Sequence, residues 1–161
     1  MERVKPLKID TTQVKIWFTS DTHFGHKNIL TFCERPFNSV EEMDNTIVER
    51  WNSKVEKNDI VFHLGDFAFA SNKRWQELIY KLNGKIYLIL GNHDITRWPG
   101  SYTMQLFDRV ENQMMLKIDN KYKVYLNSFS CLITSCVEET IVKYILLLSA
   151  ISYFGSLSII I

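Results

Sequence analysis

The segment KIYLILGNHD, residues 85–94, joins an apolar run to a cluster of polar side chains. Its first six residues predict a buried strand. Gly91 then permits a tight turn, and Asn92, His93 and Asp94 follow with an amide, an imidazole and a carboxylate. A buried strand that ends in these three groups predicts a site for a metal ion or for proton transfer.

Two earlier segments of the chain have the same arrangement. Residues 14–20 (VKIWFTS) predict a strand, and Asp21 and His23 follow it. Residues 59–64 (DIVFHL) predict another strand, and Asp66 follows that one. Because side chains alternate along an extended segment, we expect Asp21 and His23 to lie on one face. The two oxygens of the Asp66 carboxylate allow it to bridge two ions.

Segments with helical spacing separate these strands. Residues 40–56 carry apolar side chains on one helical face, with Ser39 as the N-cap and Glu42 three positions later. The segment SNKRWQELIYKLNG predicts a second helix, which begins after Ser71 and stops at Gly84.

The order of the predicted elements indicates the fold class. Residues 110–118 and 122–127 predict a hairpin with its turn at residues 119–121. Strands that alternate with helices are typical of an α/β protein with helices packed on the faces of its sheets. Sites in such folds lie at the carboxyl ends of the strands, where all three polar clusters stand.

Composition narrows the class of protein and its partners. A chain of 161 residues predicts a single domain over residues 1–161. The 19 basic and 18 acidic residues give no electrostatic case for a nucleic acid or a membrane surface. The three cysteines form no Cys-x-x-Cys pair, and residues 1–10 carry no apolar signal segment, so we expect a cytoplasmic protein. Cys33 is expected to be a small buried side chain.

The three motifs together resemble those of the calcineurin-like metallophosphoesterases. The motifs are Asp21-x-His23, Gly65-Asp66 and the sequence Gly-Asn-His-Asp at residues 91–94, and the resemblance covers residues 14–127. It implies two packed β-sheets flanked by helices, an αββα sandwich that is incomplete at its C-terminal end. It also implies hydrolysis of a phosphomonoester or phosphodiester by a water that two metal ions activate.

The resemblance implies a set of metal ligands. Asp21 and His23 resemble ligands of the first ion, and Asp66 resembles the carboxylate that bridges the two ions. Asn92 resembles a ligand of the second ion that also binds the phosphate. The implied cofactors are two divalent ions, with Mn²⁺ as the first expectation and Fe, Zn²⁺ or Mg²⁺ as alternatives.

The resemblance also implies the residues that act on the substrate, a phosphate ester. His93 resembles a general acid near the leaving group, and Asp94 resembles its orienting partner. His26 and Asn28 are predicted either to face the phosphate or to form a solvent-exposed loop cap. His63 lies within a predicted strand and is expected to be structural.

The last third of the chain departs from the family pattern. The four histidines are at positions 23, 26, 63 and 93, so the later histidine ligands of the family are absent. Residues 127–130 (NSFS) stand where a His-x-Pro sequence is expected, and residues 155–158 (GSLS) stand where Gly-His-x-His is expected. Two hypotheses therefore stay open: an active phosphoesterase, or an impaired or non-catalytic remnant that binds one metal ion or a phosphate ligand.

Residues 128–161 form an atypical apolar tail. The stretch 144–161 has no charged residue and approaches the length of a membrane-spanning helix, although we favour a buried or poorly ordered tail over a membrane anchor. An exposed tail would favour association between copies of the chain. A frameshift is a further hypothesis, because codons for Ser-Phe-Ser read one base later can encode His-Phe-Pro. Resequencing the gene tests it.

Overall fold

A computed structural model of the chain describes residues 5–96, 100–128, 130–135 and 157–159. Its strands are β1 (Leu7–Ile9), β2 (Ile16–Thr19), β3 (Ile60–His63), β4 (Lys85–Ile89), β5 (Arg109–Glu111), β6 (Gln113–Ile118), β7 (Tyr122–Asn127), β8 (Ser130–Ser135) and β9 (Leu157–Ile159). Its helices are α1 (Ile29–Phe32), α2 (Val40–Asn52), α3 (Asn72–Lys81), α4 (Asn92–Thr96) and α5 (Ser101–Met104).

The strands form two sheets, which confirms the predicted α/β class. One sheet has five parallel strands in the order β5-β4-β3-β2-β9. The other has the order β1-β6-β7-β8, with β1 parallel to β6 and antiparallel pairing between the remaining neighbours. Because β2, β3 and β4 are parallel neighbours, their carboxyl ends meet at one edge of the sheet.

The core lies on both faces of the parallel sheet. Val61 of β3 packs with Trp51 of α2 and Trp75 of α3 in one buried cluster. The next residue, Phe62, belongs to the other cluster, which lies between the two sheets and includes Leu116 of β6. Full burial of each such side chain stabilises the fold by about 1.5–3 kcal/mol. Covering both faces explains why β3 and β4 have continuous apolar runs and not an alternating pattern.

The two long helices begin where the sequence predicts. The Glu42 N–H donates to Ser39 Oγ at 3.1 Å, and the Arg74 N–H donates to Ser71 Oγ at 3.3 Å. The Glu42 carboxylate accepts the N–H of Asn38 at 2.8 Å, so it reaches one residue before the cap. Helix α2 ends at Asn52, four residues before the predicted end.

The prediction of a single strand over residues 110–118 is wrong, because this segment contributes to two strands. β5 ends at Glu111 in the parallel sheet, and β6 begins at Gln113 in the mixed sheet. The predicted hairpin is confirmed for β6 and β7, and Asp119 and Asn120 in its turn have φ angles of 51° and 55°. A local apolar pattern does not reveal that a chain crosses between sheets, since both sheets accept the same side chains.

Part of the predicted tail belongs to the two sheets. β8 pairs with β7, and β9 pairs with β2. Apart from β9, the stretch 144–161 lies outside the described residues. Among the helices that the structure does describe, none combines the length and apolar character needed to span a bilayer. The prediction of a buried Cys33 is wrong, because the thiol is exposed where α1 ends and packs into neither core cluster.

Candidate metal centre

Three predicted ligands meet at the carboxyl edge of the parallel sheet. Asp21 and His23 lie in the β2 loop (residues 20–26), and Asp66 lies in the β3 loop (residues 64–68). One ligand atom from each residue lies within 4.8 Å of the other two. His23 Nε2 is 3.9 Å from Asp21 Oδ1 and 3.9 Å from Asp66 Oδ2. Two carboxylates and an imidazole form a donor set that fits Mn²⁺, Fe or Zn²⁺.

These three residues also share a rare backbone conformation. The φ angles of Asp21, His23 and Asp66 are 54°, 49° and 56°. This left-handed region disfavours residues with a Cβ atom, by roughly 1–2 kcal/mol per residue. We expected Asp21 and His23 to converge through strand alternation, and that reason is wrong. β2 ends at Thr19, and left-handed turns bring the two side chains together.

Two glycines allow the β3 loop to touch the loop that follows β4. A Cβ on Gly91 would collide with Asp66 Oδ1 and would lie 2.6 Å from the Asp66 nitrogen. A Cβ on Gly65, whose φ is +98°, would lie 2.7 Å from the Gly91 Cα. The close approach of the two loops therefore requires glycine at both positions.

The buried Asp94 carboxylate joins these two loops. Its Oδ2 accepts the N–H groups of Asp66 at 2.7 Å and Gly91 at 2.9 Å, and its Oδ1 accepts the Phe67 N–H at 3.0 Å. In turn, Asp66 Oδ1 accepts the His93 N–H at 3.1 Å. Burial raises the pKa of Asp94, while the three N–H donors oppose that shift. Within the described residues, its hydrogen bonds go to these backbone amides and not to the His93 ring.

Three imidazoles gather beside the ligand cluster. The ring centroid of His23 is 5.3 Å from that of His26 and 5.6 Å from that of His93. The Phe69 ring stacks on that of His26 with 4.1 Å between the centroids, and it makes a T-shaped contact with the His93 ring at 5.2 Å. Burial lowers the pKa of His23, although Asp66 acts in the opposite direction. Burial therefore favours the neutral form of His23, which is the form that binds a metal ion.

The two predicted asparagines are exposed at the starts of short helices. Asn92 is the first residue of α4, and Asn28 immediately precedes α1 without capping it through its side chain. Within the described residues, no hydrogen bond joins either amide to the ligand cluster. Their roles toward a second ion and the phosphate stay predictions.

His63 lies in the interior, as the sequence predicts. Its Nε2 is 2.9 Å from the Thr22 hydroxyl, which itself donates to the Phe67 carbonyl at 2.7 Å. The single proton of the hydroxyl is used in that second bond, so the N–H of His63 Nε2 donates to Thr22. Complete burial, with a smaller effect from His23, lowers the pKa of His63 to about 3.

Sequence reasoning missed two residues that hold the β2 loop. Arg35 donates to the carbonyls of Asp21 at 2.6 Å and Thr22 at 2.9 Å. Buried Asp44 accepts the Gly25 N–H at 2.9 Å. Asp44 stands on the apolar face of its helix. A carboxylate at such a position indicates a buried polar contact, so the sequence alone could have pointed to Asp44. The sequence around Arg35 gives no indication that this residue contacts the β2 loop.

A serine lies beside the β3 loop. Ser128 stands at the position where the family pattern has the first of its later histidines. If Gly65 had a Cβ atom, that atom would lie 3.3 Å from the Ser128 Cβ. Position 128 therefore borders the β3 loop at Gly65, the residue that precedes Asp66. Ser156 lies outside the described residues. Ser158 is on β9 at the register of Trp17.

Comparison with known proteins gives a family and several relatives. A family model for calcineurin-like phosphoesterases matches residues 14–157. An uncharacterized protein of Methanocaldococcus jannaschii is 50% identical over 82 residues, which are 50% of this chain and 47% of that protein. The gene 66 protein of Mycobacterium phage L5 is 41% identical over 81 residues, or 48% of this chain and 39% of the phage protein. The matches span less than half of these relatives.

A solved structure has a similar fold. It is the crystal structure of a protein of unknown function from Aquifex aeolicus, with a TM-score of 0.58 and 25% sequence identity. The similarity covers 71% of this chain and 60% of the Aquifex protein.

Proposed function

We propose that this chain, which belongs to the calcineurin-like phosphoesterase family, hydrolyses phosphate esters with the help of divalent metal ions. The observation that supports this most is the convergence of Asp21, His23 and Asp66 at the ends of β2 and β3. The His93 and His26 rings stand beside that cluster. The donor set therefore lies next to groups that can bind a phosphate and transfer a proton.

Each ligand has a proposed task in this function. Asp21, His23 and Asp66 would hold the first ion, while Asp66 and Asn92 would contribute to a second, and we favour Mn²⁺ at both positions. Such ions, when bound, polarise a phosphoryl group and lower the pKa of a water bound to them to about 7. Asn92, His26 and Asn28 would orient the phosphate.

His93 is the proposed proton donor to the leaving-group oxygen. Its backbone N–H bonds to Asp66, so the start of α4 is fixed against the ligand cluster. The ring lies in a T-shaped contact with that of Phe69, with 5.2 Å between the centroids, which restricts its rotation. An imidazole can hold and release a proton near neutral pH. Asp94 supports this arrangement by bonding to the backbone amides of both loops.

The proposed substrate is a phosphomonoester or phosphodiester, and the proposed compartment is the cytoplasm. The near balance of basic and acidic residues favours a small ester over a nucleic acid. The scarce cysteines favour a reducing compartment. Association between copies through the apolar tail stays a prediction, because most of that tail lies outside the described residues.

A second candidate function is an impaired relative that binds one ion or a phosphate ligand. The observation that favours it is the position of Ser128 beside Gly65, where a hydroxyl replaces the expected imidazole. A neutral hydroxyl is a weaker ligand for these ions than an imidazole. The first ion would keep Asp21, His23 and Asp66, whereas the second ion would keep only Asp66 and Asn92.

Hydrolysis of p-nitrophenyl phosphate and bis-p-nitrophenyl phosphate with Mn²⁺ tests the proposal. We expect turnover of at least one compound, lowered at least about 100-fold by Asp66→Asn. Asp10→Asn, which changes an exposed carboxylate that bonds to Thr12, serves as the matched control. Mn²⁺ binding without turnover of either compound would favour the second candidate.

A further inference from the structure

We propose that Arg35 is a positioning residue that holds the β2 loop in the conformation required for metal binding. It would act on the backbone of the loop, and not on the ion or the substrate. This inference rests on the proposed metal centre for its relevance to function. Its effect on the loop, however, is a property of the free protein and is measurable without metal.

The two sides of the β2 loop are held in different ways. On one side, the N–H groups of Asp21 and His23 donate to the carbonyls of Gly65 and Asp66, both at 3.0 Å. These bonds continue the parallel pairing of β2 and β3 beyond the ends of the strands. On the other side, the carbonyls of Asp21 and Thr22 accept from the guanidinium of Arg35.

The loop needs such support because two of its residues have left-handed backbones. Asp21 and His23 carry Cβ atoms at φ angles of 54° and 49°, which are disfavoured without compensating contacts. The guanidinium is planar and presents several donors in a fixed geometry. Its two nitrogens bond to consecutive carbonyls, so they fix the orientation of the peptide units on both sides of Thr22.

Arg35 is itself held in place by two helices. Its backbone N–H donates to the Leu30 carbonyl at 3.0 Å, which anchors it to α1. Its Nη1 also lies 3.4 Å from the Met43 sulfur on α2, and the side chain is half-buried. The guanidinium therefore links the β2 loop to both helices.

The charge of Arg35 makes the inference testable. A cation beside a cation-binding site repels a metal ion, so a purely electrostatic view predicts tighter Mn²⁺ binding when Arg35 is neutralised. A positioning role predicts weaker binding, because the ligands lose their arrangement. The two views differ in the sign of the effect.

The experiment compares Arg35→Met and Arg35→Lys with the wild type. Arg109→Met, which removes an exposed guanidinium paired with Glu111, is the matched control. In the metal-free proteins, NMR hydrogen exchange at the Asp21 and His23 amides should be about 10-fold faster in both Arg35 variants. Exchange within β3 and β4 should not change. The dissociation constant for Mn²⁺ should rise about 10-fold in both variants.

Unchanged exchange at Asp21 and His23, or tighter Mn²⁺ binding in Arg35→Met, would overturn the inference. Arg35→Lys keeps the positive charge. If Arg35→Met does not fold, the exchange rates and the Mn²⁺ affinity of Arg35→Lys test the inference. If the wild type binds no Mn²⁺, the proposed function fails. The exchange rates of the metal-free proteins still decide the role of Arg35.

Discussion

Two regions border Asp66, and they differ in what they bring to the site. The loops after β2 and β3 bring two carboxylates and an imidazole to within 4.8 Å of one another. The segment after β7 brings Ser128 beside Gly65, the residue that precedes Asp66. The first region is fixed by the buried Asp94 and by Arg35. The comparison indicates that tertiary hydrogen bonds hold the three candidate ligands in place, whereas position 128 has a hydroxyl where the family pattern has an imidazole.

The largest effect should come from removing the Asp94 carboxylate. Asp94→Ala leaves three backbone N–H groups without their acceptor, and we expect the free energy of unfolding to fall by roughly 3–5 kcal/mol. Urea denaturation of the metal-free protein measures this change. Asp94→Asn keeps one acceptor oxygen and should be less destabilising. A loss below about 1 kcal/mol in Asp94→Ala would show that the loops hold together without this residue.

The next effect concerns pH and the buried His63. Its pKa is about 3 in the folded chain, below the value near 6.5 expected when unfolded. The unfolded chain therefore binds more protons between these values, and the free energy of unfolding falls as the pH decreases through this window. One such proton contributes up to about 1.4 kcal/mol per pH unit, and His23 adds an effect of the same sign.

His63→Asn keeps a donor for Thr22 and should flatten this dependence. Denaturation at pH 7, 6, 5 and 4 compares the variant with the wild type. If the free energy of unfolding depends on pH equally in the two proteins, His63 is not the cause of the loss of stability in acid.

A somewhat smaller loss of stability should follow Gly91→Ala. The added methyl group would collide with Asp66, so the two loops must separate and the carboxylate must move. We expect about 1–3 kcal/mol of destabilisation and weaker Mn²⁺ binding. Calorimetry measures both quantities. Unchanged Mn²⁺ affinity would show that the close contact of the loops does not determine the position of Asp66.

The smallest effect should come from changing the weaker region. Ser128→His introduces an imidazole beside the β3 loop, and we expect Mn²⁺ binding to become about 10-fold tighter. Ser128→Ala should leave the affinity unchanged, since the hydroxyl is not expected to bind the ion. Isothermal titration of the two variants separates these outcomes. No gain in Ser128→His would place residue 128 outside the reach of the ion.

The sequence predicted which strand ends meet better than it predicted the path of the chain. Asp21, His23 and Asp66 lie together, as predicted, because parallel neighbours bring their carboxyl ends to one edge, whatever the exact strand bounds. The caps at Ser39 and Ser71 were correct because capping is local. The crossing at Asn112 and the short strand β1 were missed because pairing between distant segments decides them.

The roles of Arg35 and Asp94 in holding the loops were beyond the reach of sequence patterns. Arg35 acts on carbonyl groups more than ten positions away, and Asp94 acts on amides of another loop. The left-handed backbones of Asp21, His23 and Asp66 are likewise imposed by tertiary contacts, since local sterics disfavour them.

The amount of Mn²⁺ bound by the purified chain tests the metal centre most directly. We expect at least one ion per chain, lost in Asp66→Asn and retained in Asp10→Asn. Two ions would favour the active phosphoesterase, and one ion would favour the impaired relative. Absence of bound Mn²⁺ in the wild type, or equal binding in Asp66→Asn, would contradict a metal centre at Asp21, His23 and Asp66.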